Sequence, residues 1–316
     1  MSDPVLAPLP PARPYDLLGV GECSLDQLLV VDALPAPGGK TPATEWRELA
    51  GGQVATAVLA AARLGLATAY AGAVGEDARA DRVLEPLRAM GVDLSQVETV
   101  SGAATRAAVI VVERATGERS VLGHRDEKLA QARTALAGLE LGKARLLLLD
   151  GSDLPLATAL AERARRLGLS VVLDLDVPAP GFERLLAHVD YPVVSKGFAQ
   201  AAYGSAERAL ARLAALGARF PVVTLGAAGA LASGPGGLVV SPAFPVEAVD
   251  TTGAGDVFHG TFAWGLLQGL DATALLRAAN AAAGLACTGL GAQAAIPDTV
   301  QLEAFVRAGG RRYSSS

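Results

Sequence analysis

Four short apolar runs in the middle of the chain, Leu146 to Leu149, Val171 to Leu175, Val193-Val194 and Val222 to Leu225, are separated by Ala/Leu/Arg stretches at helical spacing. Leu156–Leu167 and Ala206–Leu216 are the clearest of these stretches. A run that is apolar without alternation is buried on both faces, as happens in a parallel sheet whose crossover helices cover both sides. The predicted fold class is therefore α/β, a three-layer αβα domain around a central, mostly parallel sheet. Earlier segments continue the pattern. Asp16 to Gly21 reads as a buried strand ending in glycines, Val54 to Leu64 as a helix stopped by Gly65, Ala67 to Ala73 as a strand and Ala80 to Met90 as a helix.

Two regions break the alternation. Leu28 to Val31 and Thr44 to Leu49 are strand-like and flank a Pro/Gly turn from Leu34 to Gly39, with no helix between them. Ala107 to Val112 and Ser120 to Leu122 read as a hairpin about Ala115-Thr116-Gly117. These pieces are assigned to a small projecting sheet of short antiparallel strands, a candidate lid covering about 28–50 and 104–123. The continuous run Val109-Ile110-Val111-Val112 would leave such a sheet with an apolar face that needs covering. Residues 1–14 are Pro-rich and expected to form a disordered leader, 15–306 the folded domain and 307–316 a flexible tail.

Composition narrows the partners. With 51% hydrophobic residues in 316, the chain can bury a large core. A net charge of −5, and no Lys/Arg run before Arg311-Arg312, argue against nucleic acid, and 4% aromatic residues offer little stacking surface. No window approaches the ~18 uninterrupted apolar residues of a membrane span, and the N-terminal stretch lacks a basic segment followed by an apolar one. Cys23 and Cys287 lie far apart without metal-ligand spacing and read as buried small hydrophobes. A soluble cytoplasmic protein is the expectation.

The densest chemistry lies in Val249-Asp250-Thr251-Thr252-Gly253-Ala254-Gly255-Asp256-Val257-Phe258-His259-Gly260, between a Pro/Phe-containing segment read as strand and a long Ala/Leu helix. Its glycines fall at a helix N-terminus, where unpaired N–H groups and the positive end of the macrodipole form an anion hole. Asp256, in the first turn, could accept the proton of an attacking hydroxyl during phosphoryl transfer. Taken alone, an aspartate there could equally be a helix cap. Two other glycine motifs lead nowhere. Gly19-Val20-Gly21 begins like a dinucleotide fingerprint, but Pro35 and Pro37 forbid the helix it requires. Gly39-Lys40-Thr41 ends like a P-loop, but Leu34 and Pro42 exclude one.

The string Asp250 to Asp256 resembles the signature of the ribokinase-like (PfkB) carbohydrate kinases, nearest the branch that holds ketohexokinase, sulfofructose kinase and ribokinase. The resemblance implies a ribokinase-like fold with a β lid, Asp256 as general base, and Gly253, Ala254 and Gly255 as the anion hole. Ala50 to Gly65 looks like the family's Gly-Gly signature, which makes Gly51, Gly52 and Thr56 contacts for sugar hydroxyls, with Thr56 standing where relatives carry Asn. Gly19 to Asp26 is similar to the family's first strand and makes Asp26 a substrate ligand. Asp150, with His124 and Arg125, is a candidate selector. On the nucleotide side the resemblance implies Lys196, Thr224, Gly226, Gly229 and Asn280. Asp250, Thr252, Ala286, Gly289 and Gly291 correspond to the oxygens that hold potassium in ribokinase. ATP and Mg2+ are the implied cofactors, with K+ beside them, and a homodimer formed through the lid is the implied assembly. Ser152 and Gly123 stand where sulfofructose kinase carries its sulfonate-binding Arg and Asn, which disfavours that substrate. A nucleoside kinase, and a ribokinase-fold protein that binds a sugar or nucleoside without turnover, remain the alternatives.

Overall fold

The computed structural model describes residues 10–115, 119–234 and 236–310. Strand β1 (Tyr15–Val20) opens a central sheet. The chain then leaves it through β2 (Ser24–Val31) and β3 (Ala43–Gly51) and returns along α1 (Gln53–Arg63) to β4 (Thr68–Ala71). β5 (Ala73–Gly75), α2 (Ala78–Ala89) and β6 (Glu98–Val100) lead out again to β7 (Ala107–Glu113) and β8 (Arg119–His124). After α3 (Arg133–Ala137) come β9 (Ala144–Asp150), α4 (Leu154–Arg166), β10 (Ser170–Leu175), α5 (Phe182–Leu186), β11 (Tyr191–Ser195), α6 (Lys196–Tyr203), α7 (Ala206–Ala215) and β12 (Val222–Thr224). The hairpin β13 (Ala230–Gly234) and β14 (Gly237–Ser241) precedes α8 (Ala254–Leu267), α9 (Ala272–Ala286) and α10 (Thr299–Ala308).

The central sheet has the order β14-β13-β12-β11-β10-β9-β1-β4; it is parallel from β4 through β12 and antiparallel at β13 and β14. Successive side chains of one strand enter opposite layers. Leu146, Leu148, Val172, Val193 and Val222 pack with α1, α8 and α9, whereas Leu147, Leu149, Val171, Val194 and Val223 pack with α4, α6 and α7. This two-sided burial is what made the strands legible as uninterrupted apolar runs. Helices α1 and α8 lie close because Gly260 leaves room for backbone, and a Cβ there would come within 2.1 Å of the Ala57 carbonyl. Their N-termini, which carry the two glycine motifs, are thereby fixed relative to each other. No helix among the described residues is long and apolar enough to cross a membrane.

The small sheet has the order β3-β2-β7-β8 and differs from expectation in two ways. Its middle pair, β2 and β7, runs parallel, and β2 begins at Ser24 rather than Leu28. The apolar run in β7 is also sorted by face. Ala108, Ile110 and Val112 are buried with Leu28 and Val30 and pack against Leu49 and Leu290, while Val109 and Val111 lie half-buried on the other side. The Pro/Phe-containing segment before Val249, expected as strand, is irregular over 242–248, in keeping with Pro242 and Pro245, which cannot donate to a ladder. Of the expected leader, residues 1–9 lie outside the described residues, while the Pro10 carbonyl accepts from Arg145 Nε at 3.3 Å and Arg13 reaches the Gly142 carbonyl. Thr116 and Gly117 of the hairpin turn, and 311–316 of the tail with Arg311-Arg312, also lie outside them.

Candidate active site

The chain reverses direction across the sheet between β1 and β9, the place where open α/β folds bind ligands beyond the carboxyl ends of their strands. Those ends deliver a concentration of polar groups here: Glu22 after β1, Asp150 at the end of β9, Asp174 and Asp176 about the end of β10, Ser195 on β11 and Thr224 on β12. Asp150 is only 2% exposed, and it accepts from the Glu22 amide at 2.8 Å, the Ser152 amide at 2.9 Å and the Ser152 hydroxyl at 2.5 Å.

Helix α8 begins at this edge. Gly253 caps it at φ 77°, a left-handed conformation that disfavours a side chain, and a Cβ there would come within 2.6 Å of the Ala292 backbone. The Ala254 amide reaches the Thr251 carbonyl at 3.3 Å and the Val257 amide reaches the Gly253 carbonyl at 2.9 Å. Among the described residues the amides of Gly255 and Asp256 between them meet no backbone acceptor, as the first turn of a helix requires. Asp256 is half-buried beside them. Desolvation, reinforced by the charges of Asp174, Asp176 and Glu22, pushes its carboxyl well above the usual carboxylate range, and His259 opposes the shift.

Asp26 projects from β2, 6% exposed, and accepts from the Ser24 hydroxyl at 2.7 Å. Burial raises its pKa, with Ser24 and Arg106 pulling the other way. Gly51 packs against this carboxylate so closely that a Cβ would sit 2.1 Å from Asp26 Oδ2. Gly52, at φ 97°, caps α1, and a Cβ there would meet the Cys23 Cα at 2.5 Å. Thr56 is fully buried and its hydroxyl accepts from Gln293 Nε2 at 3.2 Å. Among the described residues the buried Gln293 side-chain carbonyl oxygen meets no partner.

The other sequence-predicted residues lie on β8, α6, β12, α9 and the segments about them. Lys196 is exposed at the start of α6, which Ser195 caps by accepting from the Phe198 amide at 3.1 Å. Thr224 ends β12, Gly226 follows it, and Gly229 at φ 93° packs within 2.1 Å (as a Cβ) of the Ser241 carbonyl. Asn280 is buried rather than open to the cleft, and its amide holds the Ser241 carbonyl and hydroxyl, each at 2.9 Å. Asp250 is 1% exposed and accepts from the Thr252 amide at 2.9 Å, the Thr252 hydroxyl at 2.7 Å and the Gly291 amide at 2.8 Å. The Cys287 carbonyl takes the Val249 and Asp250 amides, and the Gly289 amide reaches the Ala286 carbonyl at 3.4 Å, so the five predicted ion-site residues form one cluster near the start of α8. Of the candidate selectors, Arg125 reaches the Ser152 carbonyl and Asp153, whereas His124 is exposed on β8.

Several residues of the cleft lay beyond sequence reasoning. Arg106 pairs with Glu22 at 2.6 Å, and burial together with Asp150 pushes the Glu22 carboxyl up to about 7 against the pull of Arg106 and Arg125. Arg119 crosses from the small sheet to the Thr251 hydroxyl at 2.5 Å. Asp174 lies 3.4 Å from His259, and Gln53 donates to Asp176 at 3.1 Å. The one local signal was the pair of aspartates alternating in Leu173-Asp174-Leu175-Asp176 at a strand end, where buried strands otherwise exclude charge.

First-turn helix amides without backbone acceptors, a carboxyl beside them and a second, buried carboxylate packed against Gly51 are the parts from which transfer of a phosphoryl group onto an alcohol can be built. Residues 16–299 match the model of the pfkB family carbohydrate kinases, and the chain belongs to that family. It is 31% identical over 290 residues to ribokinase of Bacillus subtilis, covering 90% of this chain and 97% of that one. It is 28% identical over 295 residues to a nucleoside kinase of Methanothermobacter thermautotrophicus, covering 90% and 93%. Arabidopsis thaliana ribokinase, solved with ribose and ATP, superposes with a TM-score of 0.77 at 25% identity over 93% of this chain and 99% of that one. The activity is thus that of an ATP-dependent sugar or nucleoside kinase.

Proposed function

We propose that the chain phosphorylates a hydroxyl of a pentose, free or within a nucleoside, with Asp256 as general base and the amides of Gly253 to Asp256 receiving the charge of the transferring group. The observation that carries this reading is the juxtaposition of unpaired first-turn amides with a carboxyl whose surroundings favour taking up a proton. Asp26, Gly51 and Gly52 then bind the acceptor, and Lys196, Thr224, Gly226 and Gly229 lie toward the nucleotide. Relatives that act on ribose and on nucleosides support both forms of the pentose. The intact Asp256 speaks against a binder without turnover.

Magnesium fits as a companion of the nucleotide. Among the described residues no group of three or more His, Cys, Asp or Glu side chains could cage a metal, and magnesium is commonly held through substrate phosphates with few protein ligands. Its chemistry would be to neutralise phosphate charge. The Asp250 cluster, rich in carboxylate and carbonyl oxygen, fits a hard monovalent ion such as potassium. Turnover of ATP with ribose, deoxyribose, ketoses and nucleosides, each run in potassium and in sodium salt, tests both readings. Stimulated ATP consumption with a pentose or nucleoside is expected. Stabilisation by one of them without turnover would support the binder, and equal rates in the two salts would remove the ion site.

The small sheet serves in this reading as lid and as the dimer surface of a cytoplasmic enzyme. Leu29, Trp46, Val109, Val111 and Leu122 share its outer face by register, and Trp46 and Leu122 are 62% and 69% exposed. A dimer is expected by light scattering at micromolar concentration, and Trp46→Glu is expected to dissociate it. A parent chain that is monomeric under the same conditions would remove this assignment.

A further inference from the structure

Behind Asp256 stands a buried histidine that the transfer reaction does not itself require. His259 lies one turn further along α8 and is 4% exposed. Its Nδ1 is 2.7 Å from the Gly255 carbonyl and 3.4 Å from Asp174 Oδ2, while its Nε2 is 3.2 Å from the Val193 carbonyl on β11. The two carbonyls can only accept. A neutral imidazole has a single N–H, so it would set one ring lone pair against a carbonyl oxygen inside the core, an arrangement that costs an unmade hydrogen bond. Protons on both ring nitrogens satisfy both carbonyls. Burial, with the charges of Asp176, Asp150 and Glu22, pushes the Asp174 carboxyl, 3% exposed, well above the usual carboxylate range, and a cationic ring 3.4 Å away opposes that push and takes Asp174 as its counterion.

We propose that His259 is a positioning residue, protonated at both ring nitrogens and paired with Asp174, that ties the anion-hole turn to the central sheet and lends positive charge to the neighbourhood of Asp256. The geometry gives it two effects. Through Nδ1 it holds the carbonyl of Gly255, whose amide belongs to the proposed anion hole, and through Nε2 it anchors that turn to β11, so the first turn of α8 cannot drift from the strand ends. Electrically, it is the cation among the groups that act on Asp256. The others are Asp174 and Asp176 about the end of β10 and Glu22 after β1, all of which disfavour the carboxylate. A general base is active only when it has lost its proton, so a nearby cation extends activity toward acid pH.

The inference rests on the kinase reading for its catalytic consequence but not for the protonation state, and two measurements separate the two. The first is ring 15N NMR of the full-length protein labelled at histidine, with His259 assigned by its loss in His259→Gln. Both ring nitrogens should carry protons at pH 7.5, and Asp174→Asn should remove one of them. A neutral ring in the parent protein overturns the proposal whatever the enzyme phosphorylates. The second is the pH profile of kcat/KM for His259→Gln with the sugar or nucleoside that is turned over. Loss of the cation should move the acid limb up by about one unit, so that the defect is about tenfold below the limb and shrinks to within about threefold at high pH. KM for the acceptor should stay within about threefold of the parent. A loss equal at all pH values would mark His259 as a packing residue and overturn the electrostatic role.

Discussion

Asp256→Asn should bind sugar and nucleotide much as the parent does and lose on the order of two to four decades of turnover, the range for removing a general base. The substitution is nearly isosteric and keeps an oxygen able to accept from the first-turn amides of α8, so the helix start survives. What disappears is the group that can take a proton from the acceptor hydroxyl as the phosphoryl departs. If Asp256 only complemented the helix dipole, the change would cost about 0.5–2 kcal/mol of stability and leave the rate almost intact. Single-turnover rates at saturating ligands, with thermal shifts on nucleotide addition as the binding control, separate the two. Activity within a few-fold of the parent would end the assignment. The parent should also show an acid limb that lies above that of an ordinary carboxylate, because burial, Asp174 and Asp176 all favour the protonated form of Asp256. Rate is therefore lost as pH falls through that raised value and recovered above it, and Asp256→Asn should abolish the limb along with the rate.

The parts of this molecule that could be read from the chain are those whose physics is local. Core strands announced themselves because both faces are buried, so Leu146 to Leu149 needed no partner to be recognised. The proposed anion hole was equally local, since glycines, aspartate and helix lie within one continuous string. The starting point of β2 was missed because Ser24, Asp26 and Gln27 look like loop residues. Ser24 and Asp26 are buried and bonded to each other, Gln27 pairs with Glu48 on the outer face, and the ladder with β3 and β7 overrides their propensity. A weak pattern accounts for β13, whose Ala, Gly and Ser content carries little strand signal, while in β14 only Leu238-Val239-Val240 is strand-like, a run too short to stand out. The remainder depends on distance along the chain. Gln293 meets Thr56 across 237 positions, Arg106 meets Glu22 across 84, and His259 meets Val193 across 66. No periodicity encodes such meetings. They follow only once the sheet order places β1 beside β9 and lays α8 against α1.

On the acceptor side the largest effect should come from Asp26→Asn, with KM for the sugar raised thirty- to a thousandfold while KM for ATP stays within about threefold. The estimate follows from losing charge-assisted hydrogen bonds, roughly 2–4 kcal/mol in total at the usual strength of such bonds. Ser24 occupies Oδ1, and Gly51 packs against Oδ2. The same geometry supplies an independent check, since Gly51→Ala would put a methyl group 2.1 Å from Oδ2 and should raise the sugar KM without altering the charge. Acid should act in the same direction as both substitutions. Burial raises the pKa of Asp26, so a proton arrives there at higher pH than on a free aspartate and removes the charge that strengthens its bonds to the sugar. Initial rates with each ligand varied in turn test the claim. Parallel weakening of sugar and ATP would locate the damage in the fold of the cleft and not in a lost hydroxyl contact, because β2 carries Asp26 on the small sheet while Thr224 and Gly226 hang from the far strands of the central one.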